Sequence, residues 1–306
     1  MIPYQKEFAC EYGKAHIVSP LIRRLVAPNP GRFTGPGTGT FIIGHGRVAV
    51  IDPGPDNGDH FAALQAELRD ETVTHVFVTH QHIDHSPLGR KLADSYGALL
   101  CGRRGRSTDE HGGAVREEAG DDDWFWPDIE LEEGWCARGP GWTIRAVHTP
   151  GHTSQHYCFA LDEENALFCG DHVMAWSTSI VSPPDGCMGD YLSSLERIRA
   201  MDFARLLPTH GAHIDNPGAF IEAYVAHRKA REAAILEQVS RGVASVREIV
   251  AALYADVDRA LHPAAMHSVW AHLIHLVEQG KIAARPAPTI DARYAPLSND
   301  AIGGEA

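Results

Sequence analysis

The sequence predicts a layered α/β or α+β domain followed by a small helical module, and three observations carry that reading. Short apolar, β-branched runs alternate with helix-period segments as far as about residue 215. Beyond that point the pattern turns helical and closes on one short strand-like run. Histidine, at 19 of 306 residues, gathers with aspartate where the strand-like runs end.

Phe41–Ile43 and Val48–Ile51 flank Gly44-His45-Gly46, the pattern of a hairpin, and Asp52-Pro53-Gly54 breaks the run. Phe61, Leu64 and Leu68 then recur at helical intervals. Val73–Thr79 reads as a strand ending at His80, Leu88–Tyr96 as a helix and Ala98–Cys101 as the next strand. Residues 103–128, rich in charge and glycine, read as an exposed excursion. Thr143–Val147, His156–Ala160 and Ala166–Phe168 are three further strand-like runs.

Asp215-Asn216-Pro217 opens a long helix that runs to about Ser240. Ser245-Val246-Arg247-Glu248 has the spacing of a capping box. A third helix follows His262-Pro263, with Val269, Leu273, Leu276 and Val277 on one face and Gly280 as its stop. Lys281–Ala284 reads as a short strand. Helices followed by a small β element suggest a winged-helix-like module over 226–285. That leaves 1–225 as the first domain and 286–306 as a poorly ordered tail.

The formal net charge is −13, which argues against broad electrostatic binding to phosphate backbones. The 226–285 module is the exception at +2. No stretch approaches the roughly 18 uncharged apolar residues of a membrane span. Met1–Cys10 lacks the apolar core of a secretory signal. The six cysteines form no CxxC pair and read as reduced thiols of a cytoplasmic protein. Oligomeric state is not legible.

Thr79-His80-Gln81-His82-Ile83-Asp84-His85 sets four metal-ligand side chains within six residues. They cannot all enter one tetrahedral shell. His80 and His82 alternate and can face one ion, whereas Asp84 and His85 lie on the turn beyond and can face a second. Imidazole suits zinc and iron alike, and the carboxylate hardens the second site. Three later segments each set one more ligand type after a strand-like run: His152 in Thr149–Thr153, Asp171 in Phe168–His172 and His210 in Leu207–Gly211. Loops at one edge of a sheet are where sites are built on a rigid scaffold.

The HxHxDH block, the TPGHT segment, the Gly-Asp pair and the late His-Gly, in that order, closely resemble the metallo-β-lactamase superfamily over about residues 15–215. The resemblance implies an α+β fold, an αββα sandwich with a dinuclear site at one edge. By it, His80, His82 and His152 would hold one ion, Asp84, His85 and His210 the other, and Asp171 would bridge them. Asp52, at the end of a VIDPG-type strand, would brace the ligand loops. The implied cofactors are two divalent metal ions, zinc first, with iron or manganese as alternatives. The implied reaction is hydrolysis by a hydroxide formed between the ions and positioned by Asp84 and Asp171.

Gly35–Thr40, Met188–Leu195 and His227-Arg228 with Arg231-Glu232 are similar to the lactamase-β-like endoribonuclease subgroup, which also carries a C-terminal winged-helix-like module. Two substrate classes follow. One is a small acyl molecule, such as a thioester or lactone; the alternative is RNA or another single-stranded nucleic acid cut by a phosphodiesterase. The acidic charge favours the first and the subgroup the second.

Ser177, Thr178 and Ser179 are placed to hydrogen-bond a substrate carboxylate or phosphate, and His227 and Arg228, with Lys229 and Arg231, to hold an anionic group. His148, His156 and His172 read as structural, Cys169 as a buried thiol, and His45, His60, His75 and His111 as turn or surface residues.

Overall fold

The computed structural model describes residues 1–105 and 120–297. Seven strands form the first sheet in chain order: β1 (His16–Ile17), β2 (Ile22–Val26), β3 (Gly39–Ile43), β4 (Arg47–Ile51), β5 (Thr72–Phe77), β6 (Leu99–Gly102) and β7 (Ile129–Glu130). Pairing is antiparallel as far as β4 and parallel beyond it. Helices α1 (Gly58–Glu67) and α2 (Leu88–Tyr96) are the crossovers that parallel strands require.

The second sheet comprises β8 (Cys136–Gly139), β9 (Trp142–His148), β10 (Tyr157–Leu161), β11 (Ala166–Gly170), β12 (Arg205–Pro208) and β13 (Ile214–Asp215), again laid side by side in chain order. Only β11 and β12 pair in parallel. The connection between them carries α3 (Met188–Ala200).

Strand alternation sorts the apolar side chains into layers. Phe41, Ile43, Ala49 and Ile51 face inward against Trp142, Tyr157, Phe159 and Phe168 of the second sheet. Their neighbours Ile42, Val48 and Val50 face outward and take up Leu64 of α1 and Leu88 and Leu92 of α2. On the far side, Cys158, Ala160 and Leu167 pack beneath Tyr191 and Leu195 of α3 and Phe220 and Tyr224 of α4 (Gly218–Ser240). The order of layers is therefore αββα. Each fully buried Phe, Leu or Ile contributes about 1.5–3 kcal/mol, so the inward rows dominate the fold's stability.

Helix α4 crosses the expected boundary at 225/226 without a break. Its second half joins α5 (Val246–Leu253), α6 (His262–Glu278), β14 (Ile282–Arg285) and β15 (Arg293–Pro296) around a separate core of Ile235, Val239, Ile249, Val269, Leu273 and Tyr294. Ser245 and Glu248 make both halves of the capping box. Val269, Leu273 and Leu276 are fully buried as the helical spacing predicts.

Three expectations need correction. The tail read as poorly ordered from Pro286 instead contains β15, which pairs antiparallel with β14 and buries Tyr294. Its Arg-Tyr-Ala-Pro sequence is too short for a period to show. The excursion over 103–128 lies partly outside the described residues (106–119, with His111), but Phe125 is buried and His82 bridges Asp121 in β fashion. His60 is buried rather than superficial, with Nε2 2.9 Å from the Thr40 hydroxyl. His75 is half-buried and stacks on Phe77.

Candidate metal centre

The seven metal-ligand candidates converge at one edge of the sandwich, where β5, β9, β11 and β12 run out. Two glycines make this possible. Gly151 has φ +137°, and a Cβ there would meet the Tyr191 backbone at 2.3 Å, so α3 packs directly on the turn that presents His152. Gly170 has φ +51°, and its Cβ would meet His156 Nε2 at 2.5 Å. That bend at the end of β11 turns Asp171 into the centre.

His80 Nε2, His82 Nδ1 and His152 Nε2 form a triangle with sides of 2.8, 3.3 and 3.3 Å. Nitrogens at 2.0–2.1 Å from a tetrahedral zinc lie about 3.3–3.4 Å apart, so the triangle fits such an ion. Beside it, His210 Nε2 lies 3.1 Å from Asp84 Oδ2 and 3.3 Å from Asp171 Oδ1, and His85 Nε2 lies 3.4 and 3.5 Å from the same two oxygens. Asp171 Oδ2 turns back to within 3.8 Å of His152 Nε2, so one carboxylate faces both groups. His85 Nε2, Asp84 Oδ1 and Asp171 Oδ1 are buried with no hydrogen-bond partner among the described residues. Lone pairs converging without donors fit cations: the donor set suits one ion in each group.

The imidazoles are oriented from behind. His152 Nδ1 donates to the Ile180 carbonyl at 2.6 Å, His210 Nδ1 to the Gly37 carbonyl at 3.2 Å, and His85 Nδ1 to Asp52 Oδ2 at 2.9 Å. Each leaves Nε2 facing the centre. Asp52, fully buried with φ +49°, also accepts from the Thr79 amide and hydroxyl and from the Thr209 hydroxyl. His80 Nδ1 lies 3.0 Å from the Thr79 oxygen, which extends the brace to a fourth ligand candidate. The two threonines were not singled out from sequence. The signal was there: each directly precedes a ligand histidine, in Thr79-His80 and Thr209-His210.

Electrostatics divides the two groups. Burial, reinforced by the neighbouring imidazoles, holds His80 well below its usual range and His82 down to about 3. Burial would also lower His85, but Asp84, Asp52 and Asp171 outweigh it and raise that imidazole well above its usual range. Burial would raise the Asp84 and Asp171 carboxyls, yet the adjacent His85 and His210 keep both below the ordinary range. The first group thus holds imidazoles alone, whereas carboxylates face the imidazoles of the second.

A cavity of about 510 Å³ opens from the centre. Ser177, Ser179, His227 and Arg228 all line it, together with Thr178, Arg231 and residues of α6. Ser179 is buried and donates its hydroxyl to the His172 carbonyl at 3.0 Å, while the half-buried Ser177 donates to the Thr178 carbonyl at 3.4 Å. The Arg228 side chain is buried against Ser179 and Ser268. His148, His156 and His172 lie outside the ligand groups, and the Cys169 thiol is buried against the Val173 carbonyl. His267 of α6 sits 2.7 Å from the Ser182 hydroxyl, so the C-terminal module walls the cavity.

Residues 32–210 match the metallo-beta-lactamase superfamily, and residues 245–287 match the beta-lactamase associated winged helix domain. The chain is 30% identical over 274 residues to the lactamase-like protein adaB of Aspergillus niger, covering 83% of this chain and 80% of that one. It is 34% identical over 227 residues to the atrochrysone carboxyl ACP thioesterase AgnL7 of Paecilomyces divaricatus, covering 73% and 66%. A beta-lactamase domain protein from Burkholderia ambifaria superposes with a TM-score of 0.77 at 21% identity, over 97% of each chain. Among the described residues, no helix is long and apolar enough to cross a membrane.

Proposed function

This chain belongs to the metallo-β-lactamase superfamily, and from that premise we propose that it hydrolyses a thioester of an apolar acyl group, releasing a carboxylic acid and a thiol. The observation that carries the reading is the ligand cluster opening into a cavity that also presents an apolar wall of Phe33, Met174, Trp176, Val257 and Leu261. Relatives named as acyl-carrier-protein thioesterases point the same way. The phosphodiesterase alternative gains nothing from these relatives, and the net charge of −13 opposes it.

His80, His82 and His152 would hold one divalent ion, and Asp84, His85 and His210 the other, with Asp171 offering an oxygen to each. When bound, such a pair supplies Lewis acidity and brings the pKa of a water near neutrality. Asp84 and Asp171, kept ionised, orient the attacking water as hydrogen-bond acceptors. Asp52 fixes the imidazoles that surround them. A thiol with a pKa near about 8.5 departs as the thiolate, so this reaction needs no dedicated general acid.

The test is metal analysis of the purified protein together with a substrate panel of acyl N-acetylcysteamine thioesters, lactones and single-stranded RNA. Turnover of thioesters, lost on chelation and restored by zinc, iron or manganese, is the expected result. RNA cleavage without thioester turnover would overturn it.

A further inference from the structure

Resting on the thioester reading, we propose that the cavity contains a second recognition site, in which Arg228, assisted by Arg231 and Arg32, binds a carboxylate carried by the acyl group. The substrate is then the thioester of an apolar acid bearing a second, free carboxylate.

Arg228 is only 3% exposed, yet its hydrogen-bond and ring partners among the described residues are neutral. It donates to the Ser179 carbonyl and, at 3.4 Å, to the Ser268 hydroxyl, and it lies 5.2 Å from the centre of the Tyr191 ring. Its Nε is buried with no hydrogen-bond partner among the described residues. Arg231 lies over the Tyr254 ring at 4.3 Å, and Arg32 reaches across to the Ala260 carbonyl at 3.4 Å. Among the described residues none of these three guanidiniums pairs with a carboxylate, although all three line the cavity. A buried charge without a counter-ion is costly, and a planar fork matches a carboxylate bidentately.

The cavity's own carboxylates are committed elsewhere. Asp84 and Asp171 face the imidazoles, Asp121 lies 3.9 Å from His82, and Asp185 accepts the Ser154 amide at 3.0 Å. The Ser179 and Ile180 carbonyls, one residue apart, take Arg228 and His152 respectively. The anion site is therefore adjacent to the reacting centre. Phe33, Met174, Trp176, Val257 and Leu261 supply the apolar wall around it.

The test uses non-hydrolysable N-acetylcysteamine thioethers, with CH2 in place of the scissile carbonyl, so that binding is read without chemistry. One probe carries a free terminal carboxylate and a second is its methyl ester. A third places the methyl ester on 4′-phosphopantetheine and so carries phosphate instead. Calorimetric titration of the metal-loaded wild type should show the free acid binding at least about tenfold tighter than the ester, the yield of a charge-assisted hydrogen bond. In R228M the ratio should fall to within about threefold, and R231M, which leaves the buried contacts of Arg228 in place, should lower it in part. Equal binding of acid and ester by the wild type overturns the proposal. So does a ratio that persists in a folded R228M, which would put the carboxylate on the metal ions. A gain confined to the phosphate probe would assign the arginines to the carrier arm and overturn it as well. If R228M fails to fold, the wild-type ratio and R231M decide. Failure to hydrolyse the matching thioesters would sink the function proposed above and leave this ratio measurable.

Discussion

Asp52 Oδ2 lies 2.9 Å from His85 Nδ1, and both side chains are completely buried. This carboxylate sits at the end of β4, so the innermost ligand candidate is held by the strand framework rather than by its own loop.

Replacing Asp52 with Asn keeps the volume and removes the charge. Metal affinity should drop about 10–100-fold, the usual effect of removing a partner behind a ligating imidazole. Competition with a chelator measures it, and circular dichroism checks the fold. Unchanged affinity in D52N would remove Asp52 from its bracing role.

Arg24, also buried, donates to the Thr209 carbonyl at 2.7 Å and the Gly211 carbonyl at 2.5 Å, gripping the chain on both sides of His210. Arg24→Met leaves both carbonyls unpaired and should cost about 3 kcal/mol in urea unfolding, the value of one or two hydrogen bonds to a charged group. Lys cannot span both carbonyls, so R24K should recover only part of this loss. A neutral R24M would show that His210 needs no such support.

Asp171→Asn removes the one carboxylate that faces both donor groups. Metal content should fall from two equivalents towards one, with hydrolysis reduced at least about 100-fold, the upper end of what loss of an outer partner costs. Mass spectrometry and steady-state kinetics on the same preparation report both. A folded D171N with two ions and near-normal turnover would refute the bridging position.

Burial lowers His60 and His272 from an ordinary 6.5 to about 4. Between those values the unfolded chain binds more protons than the folded one. Their contribution is therefore complete above pH 6.5 and is lost as pH falls towards 4. Urea unfolding at several pH values should show wild-type stability declining across this window. H60Q, which keeps a partner for Thr40, should lose about 2–3 kcal/mol less over the same range. Parallel pH profiles for the two proteins would contradict the assignment.

Much of the fold was legible because its period is simple. The hairpin Phe41–Ile51, helix α2 and the capping box at Ser245 follow from alternation, helical spacing and end signals. Strands β1, β7 and β13 span two residues each, too few for alternation to register. Strand β15 escaped for a similar reason, with Pro296 at its end. The ligand candidates were legible because histidine and aspartate are chemically conspicuous. Arg24, Thr79 and Thr209 were not singled out, since their roles arise from contacts 27 to 187 residues away that sequence alone does not orient. His60 looked like an exposed turn residue because it lies on α1 and the Thr40 that receives it lies on β3.

Helix α4 fixes the angular phase of one half of the molecule against the other. Its 23 residues make a rod of about 34 Å, with Phe220 to Val225 seated in one core and Ile235 and Val239 in the other. Inserting one residue between Val225 and Ile235 would turn everything after it by about 100° and advance it by about 1.5 Å. Ser268 would leave Arg228, and His267 would leave Ser182. Four residues would nearly restore the angle but displace the module by about 6 Å along the axis. Neither insertion satisfies both, so the ten-residue interval from Val225 to Ile235 is fixed in length by the two cores it joins.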